Sequence, residues 1–236
     1  MKKNKPIRII YKSASILLIG FGLVYGLTMK VPDIPMLGHS WRNLLYHVPM
    51  WYTQIIILLV SAWHSIQYLQ KGKIESDIKA MQATNVGIMF GMLGLVTGII
   101  WSRVTWGAAM ANDDLAAWWA WDPKQIFALI LLLIYLAYFL LRDSFNEPTQ
   151  RAKIGGVYNI FGAALIIPMY YIIPKVMGGL HPGSGEEGML STLGNLGAYR
   201  GIFYPTALGF ILLAVWIWEV RVRFRIAEHK LIEADL

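Results

Sequence analysis

No cysteine occurs among the 236 residues, which excludes disulfides, thiolate metal sites and covalent attachment of a ligand through a cysteine sulfur. Charge is scarce as well. Asp, Glu, Lys and Arg together make up 15% against a hydrophobic fraction of 56%, a balance foreign to soluble domains. No Gly-rich phosphate loop is present, so a nucleotide site is not expected. Neither an internal repeat nor a second domain interrupts the chain.

What remains is apolar sequence in long blocks. Six runs carry no charge: residues 13–29, 48–70, 80–102, 125–141, 154–174 and 201–218. Each is close to the roughly 17 to 25 residues that a helix needs to cross a bilayer core. None alternates as a barrel strand would. The expected fold is an all-α integral membrane protein of six transmembrane helices in a single domain. No clear A-x-A cleavage site follows Met29, so the first run reads as a retained helix.

Lys and Arg orient the bundle. Lys30, Arg42, Arg103, Lys124, Lys175 and Arg200 fall in one set of connections, and the other 15 of the 21 basic residues fall on the opposite side with both termini. By the positive-inside rule both termini are cytoplasmic. The net charge of +7 is then largely a matter of topology, facing anionic inner-leaflet lipid rather than nucleic acid.

The inner connections, Lys71 to Lys79 and Arg142 to Lys153, are short and polar. The outer ones are unusual: "HSWRNLLYHVP" before the second span, "AAWWAWDPKQ" before the fourth, and "GGLHPGSGEEG" after the fifth. Function is expected in that outer layer.

Five histidines separate by position. His229 lies in the charged inner tail, His64 approaches the inner boundary as a packing residue, and His39 is solvated in the first outer loop. His47 directly precedes the second span, with Pro49 suited to a first helical turn. His181 stands among glycines and a proline at similar depth. Two neutral imidazoles from different loops can bind one iron from opposite faces of a porphyrin. Zinc would want further ligands that the chain does not offer, and two unrelated interfacial histidines are the plain alternative.

Trp41, Trp51, Trp101, Trp106 and Trp218 read as rings of a membrane-interface belt. Trp118, Trp119 and Trp121 form one continuous segment, more than the one or two rings a belt puts at a helix end, and are compatible either with a belt or with a ligand surface. Some must turn away from lipid, and their faces can stack on a flat ligand, with Asp122 and Lys124 fixing the loop or its polar contacts. Arg42, Arg103 and Arg200 lie on the same side and can pair with ligand carboxylates or with lipid phosphate.

At these residues a resemblance emerges. "WWAWDPKQIFALILLLIYLAYFLL", with "LLYHVP" upstream and "GLHPG" downstream, resembles the tryptophan-rich WWD family of haem-handling proteins of cytochrome c maturation, and within it the six-span CcmC proteins. The resemblance implies that His47 and His181 are axial ligands of haem b, bound non-covalently and passed on. It implies a haem-contacting platform of Trp118, Trp119, Trp121 and Asp122. It further implies a place in a bacterial cytoplasmic membrane with the haem site on the periplasmic side. The haem chaperone CcmE, the transporter subunits CcmA and CcmB, and CcmD are the implied partners, and the role is binding and transfer rather than catalysis. The chain departs from the family by inserting Ala108 to Ala117, by Ile126 where a threonine is usual, and by Val176 and Met177 in place of aromatic residues. "WDPK" is similar to the CcsA haem proteins. A CcsA-like haem lyase component is therefore the alternative, followed by a b-type electron-transfer anchor and a permease subunit.

Overall fold

The computed structural model describes residues 5–30, 38–107, 118–181, 184 and 197–234. It contains six helices long and apolar enough to cross a membrane: α1 (Lys5–Thr28), α2 (Leu44–Lys71), α3 (Ile74–Ser102), α4 (Pro123–Asp143), α5 (Pro148–Ile167) and α6 (Arg200–Ala234). Each uncharged run falls on one of them, the fifth being continued beyond α5. Among the described residues there is no strand. The protein is an all-α membrane protein. The inserted segment 108–117, with Asp113 and Asp114, lies outside the described residues.

Helix ends follow local chemistry. Asp122 caps α4 by accepting from Lys124 N at 2.9 Å, with Pro123 behind it. Glu147 does the same for α5, accepting from Thr149 N and Gln150 N ahead of Pro148. In both, the proline occupies a first-turn position where its missing N–H costs nothing. Gly72 ends α2 in the left-handed conformation, φ 66°, and returns its N–H to Tyr68 O, as an αL cap requires.

α2 begins at Leu44 rather than at Val48, so His47 is inside the helix and Pro49 lies past its first turn. A 3₁₀ segment, Gly38–Asn43, leads into it. Its start is anchored by Arg42, whose guanidinium donates to Gly26 O and Met29 O at the end of α1.

α2 and α3 form the central pair, with α4, α5 and α6 around them. Their close approach is written into a row of glycines on α3. A Cβ at Gly87 would meet Leu58, one at Gly91 would meet Gln54, and those at Gly94 and Gly98 would meet Trp51 and His47. Small residues of this kind let membrane helices pack closely. Polar ties reinforce the packing: Ser61 of α2 bonds Ala80 O and Thr84 Oγ1 of α3, and Asn159 Nδ2 of α5 donates to Ser61 Oγ and Ser65 Oγ. On the outside, α1 leans on α6, where Ser15 Oγ donates to Gly209 O and Gly22 faces Thr206.

Two short π-helical turns interrupt the regular helices, at Arg103–Gly107 after α3 and at Pro168–Ile172 after α5. After the second, one more helical turn runs to Met177. Such turns are frequent at functional sites because they rotate the side chains that follow. Both lie at the end of the bundle opposite the termini.

Candidate functional site

At that end a cleft opens between α2, α3, α4 and the end of α5, and His47 and His181 both line it. Its other walls include Trp51, Trp101, Gln125 and Tyr170. The two histidines expected to act together are therefore in one cavity, although 134 positions separate them in the sequence.

The hydrogen bonds fix which nitrogen of His47 is protonated. Indole N–H can only donate, and Trp51 Nε1 donates to His47 Nε2 at 3.1 Å. On the other side Nδ1 lies 2.9 Å from Thr97 Oγ1. That hydroxyl gives its own hydrogen to Leu93 O and Gly94 O, so it accepts from Nδ1–H. His47 is thus the Nδ1–H tautomer with its lone pair on Nε2.

His181 reaches the same state by another route. Its Nδ1 lies 2.7 Å from Asp122 Oδ1. Asp122 is buried, which by itself opposes ionisation. The imidazole of His181 and the backbone N–H groups of Leu180 and Lys124 together outweigh this, and the carboxyl is held at about 2 against its ordinary 3.8. A folded value below the unfolded one means that this tie contributes stability above pH 3.8 and loses it as pH falls through about 2. At neutral pH Asp122 only accepts. His181 therefore donates from Nδ1, which leaves Nε2 as the ring nitrogen able to carry a ligating lone pair.

Asp122 thus does two things at once. It caps α4 and it binds the 180–181 loop, accepting from Leu180 N at 2.7 Å and His181 N at 3.4 Å. The loop comes close enough because a Cβ at Gly179 would lie 2.5 Å from Asp122 Oδ2, and Gly178 adopts φ 70°, ψ −168°, a region essentially confined to glycine. On the other side of Asp122, Trp121 sits at φ 53°. For a bulky residue that conformation costs on the order of 1 to 3 kcal/mol and persists only when its surroundings impose it.

The tryptophans divide differently from the sequence expectation. Trp101 and Trp106, expected in the lipid belt, are 3% and 4% exposed. Trp101 lies 6.0 Å from the His47 ring and 6.5 Å from His181, and Trp106 lies 5.0 Å from His181. The π turn at Arg103–Gly107 shifts the register of Trp106 from a regular continuation of α3. Trp41 is buried too, against Tyr199. Trp118 and Trp121, by contrast, are 45% and 75% exposed. Trp121 packs edge-on against half-buried Trp119 at 6.1 Å, and none of the three lines the cleft. They stand outside it, beside Asp122 in the chain.

Of the arginines, Arg42 is committed to the end of α1 and to His39 Nδ1 at 2.7 Å. Arg103 lies over the Trp118 ring at 5.7 Å, which makes that pair one unit. Arg200 opens α6 and is exposed. His64 pairs with Gln67 and packs beside Trp218, away from the cleft.

Gln125 and Tyr170 were not singled out by sequence, and Trp51, expected in the interface belt, lines the cleft instead. Gln125 is 5% exposed and, among the described residues, neither amide atom has a hydrogen-bond partner, an arrangement that costs free energy unless a ligand or water completes it. Trp51 could have been found: it is one helical turn from His47 on the same face. Gly98 is equally specific, since a Cβ there would lie 2.8 Å from His47 Cε1. Gly98→Ala is expected to lower stability by about 1 to 3 kcal/mol through overpacking, whereas Gly20→Ala, with nothing within 4 Å of its Cβ, is not. Thermal unfolding in detergent compares the two.

These features define a six-span membrane protein with two like-tautomer imidazoles converging on one aromatic cleft. The family model described as Heme exporter protein C matches residues 2–235. The chain belongs to that family, CcmC. It is 30% identical to the Heme exporter protein C of Paracoccus denitrificans over 210 residues, which is 89% of this chain and 82% of the relative. With that of Haemophilus influenzae it shares 25% identity over 223 residues, 93% and 85% of the two chains. A more partial likeness, 32% over 108 residues, links 45% of this chain to 30% of the cytochrome c biogenesis protein CcsA of Prochlorococcus marinus.

Proposed function

We propose that this chain binds haem b at the outer face of the bacterial cytoplasmic membrane and hands it to the haem chaperone CcmE during cytochrome c maturation. The observation that carries the reading is the convergence of His47 and His181, both with Nε2 lone pairs, in one cleft. Iron in a planar macrocycle offers two axial positions to nitrogen ligands, and the cleft is lined by two such imidazoles, the Nε2 of His47 accepting from Trp51 Nε1. Family membership supports haem handling in cytochrome c biogenesis as the setting.

The cleft is only part of the site. With His47 buried, a haem held by the two histidines would have its iron inside the cleft, and exposed Trp118 and Trp121, beside Asp122 in the chain, would offer faces for stacking, with half-buried Trp119 next to Trp121. Asp122 orients His181 rather than touching the ring. Arg103, over the exposed Trp118 ring, and exposed Arg200 are the candidates for pairing with propionates, whereas Arg42 is held on the end of α1. An open rim suits a cargo that must leave, and the role is binding and transfer with CcmA, CcmB and CcmD as companions. The distribution of Lys and Arg supports cytoplasmic termini and a periplasmic site. The partial likeness to CcsA favours a haem lyase component as the second reading.

Titration of the purified full chain with haemin tests the proposal. The expected result is a saturable, low-spin absorption spectrum with two nitrogen ligands at one equivalent. A spectrum indistinguishable from haemin in empty detergent micelles would discard it.

A further inference from the structure

His47 and His181 present the same nitrogen to the cleft, yet their supports are unequal. His181 Nδ1 donates to a carboxylate, Asp122, at 2.7 Å. His47 Nδ1 donates to a hydroxyl, Thr97. A carboxylate behind an imidazole raises the basicity of its far nitrogen and fixes the ring as a ligand. A hydroxyl does so more weakly.

The far side of His47 is also contested. Trp51 Nε1 donates to the Nε2 lone pair on which iron ligation by His47 depends. The indole is built into that position. It follows His47 by one turn of α2 and is seated on Gly94, where a Cβ would lie 2.8 Å from Trp51 Cε2. Tyr170 holds its other side in an edge contact at 5.4 Å, and Tyr170 OH is itself tied to Gln54 Oε1 at 2.7 Å.

We infer that Trp51 is a positioning residue that sets the lability of the His47–iron bond. Iron and the indole N–H compete for one lone pair, so His47 is the weaker axial ligand and opens first, while His181, backed by Asp122, retains the cargo. When the coordinate bond breaks, its electron pair stays on His47 Nε2 and Trp51 N–H donates a hydrogen bond to that pair. No proton or electron changes hands. The inference rests on the haem reading above.

Trp51→Phe keeps a ring and removes the N–H. In ligand-free full chain labelled with ¹⁵N-histidine, the His47 Nε2 resonance should move in this variant while that of His181 stays. After loading with haemin, release to apomyoglobin should slow by about three- to tenfold, the worth of one net hydrogen bond, and Asp122→Asn should speed it. Thr97→Val, which leaves Trp51 in place and frees the His47 tautomer, should also speed release, and it stands in if Trp51→Phe does not fold. Release from Trp51→Phe at or above the wild-type rate, a shift of both histidines alike, or an unchanged rate in Thr97→Val overturns the inference. Failure of the haem reading is seen separately, as absence of haemin uptake by the wild-type chain.

Discussion

His181→Ala is expected to reduce haemin affinity by more than about 100-fold, beyond the 10- to 100-fold that loss of an outer partner of a metal-bound histidine costs. The same reasoning puts Asp122→Asn inside that lower range. Removing the imidazole deletes a ligand outright, whereas the amide leaves the ligand in place with a poorer acceptor behind it. The fold should survive His181→Ala, because Asp122 keeps the backbone donors Lys124 N and Leu180 N. Its α4 cap, typically worth about 0.5 to 2 kcal/mol, is therefore retained. A His181→Gly variant separates the two losses: added imidazole should restore the low-spin spectrum if the pocket is intact. Haemin titrations of the variants beside His47→Ala decide the matter. Wild-type affinity in His181→Ala would remove this residue from the site, and retention of affinity in both histidine variants would end the bis-histidine reading.

The six spans were legible because uncharged runs of bilayer length have few other uses; the caps at Asp122-Pro123 and Glu147-Pro148 went unread, although they follow a local rule. The histidines were legible as a pair from side and depth. The tryptophans were not. A belt expectation treats each ring by its distance from a helix end, but Trp101 and Trp106 are turned inward where α3 gives way to a π turn, and no residue pattern announces that change of pitch. The reach of Asp122 was also hidden. Its capping role is local, but its partner His181 lies 59 positions on, brought back by the α4–α5 hairpin and the glycines at 178 and 179. The start of α2 was misjudged for a related reason: the absence of charge delimits what lipid tolerates, while a helix begins where its backbone is anchored, here by Arg42 on α1.

Asp77→Ala is expected to destabilise the bundle by about 3 to 5 kcal/mol, the cost of stranding one member of a buried ion pair. Arg142 donates to both carboxylate oxygens of Asp77, each at 2.7 Å, and the two side chains are only 5% and 8% exposed. The guanidinium also faces the Tyr138 ring at 5.5 Å and lies where a Cβ at Gly155 would come within 2.5 Å of Nη1. With Asp77 gone, it has a buried charge and little room to swing toward water. The pair ties the first turn of α3 to the last turn of α4, on the side of the termini. From there to Gly98 is roughly 30 Å along α3 at 1.5 Å per residue. Stability and haemin binding should therefore separate: Asp77→Ala lowers the unfolding temperature in detergent, while molecules that remain folded bind haemin as before. The double replacement Asp77→Leu with Arg142→Met should recover most of the loss, because the desolvation that the pair must offset disappears with both charges. A single variant as stable as the wild type would show the pair to be solvated in the membrane-bound protein. A double variant no better than the single would place the cost in packing around Tyr138 and Gly155 rather than in charge.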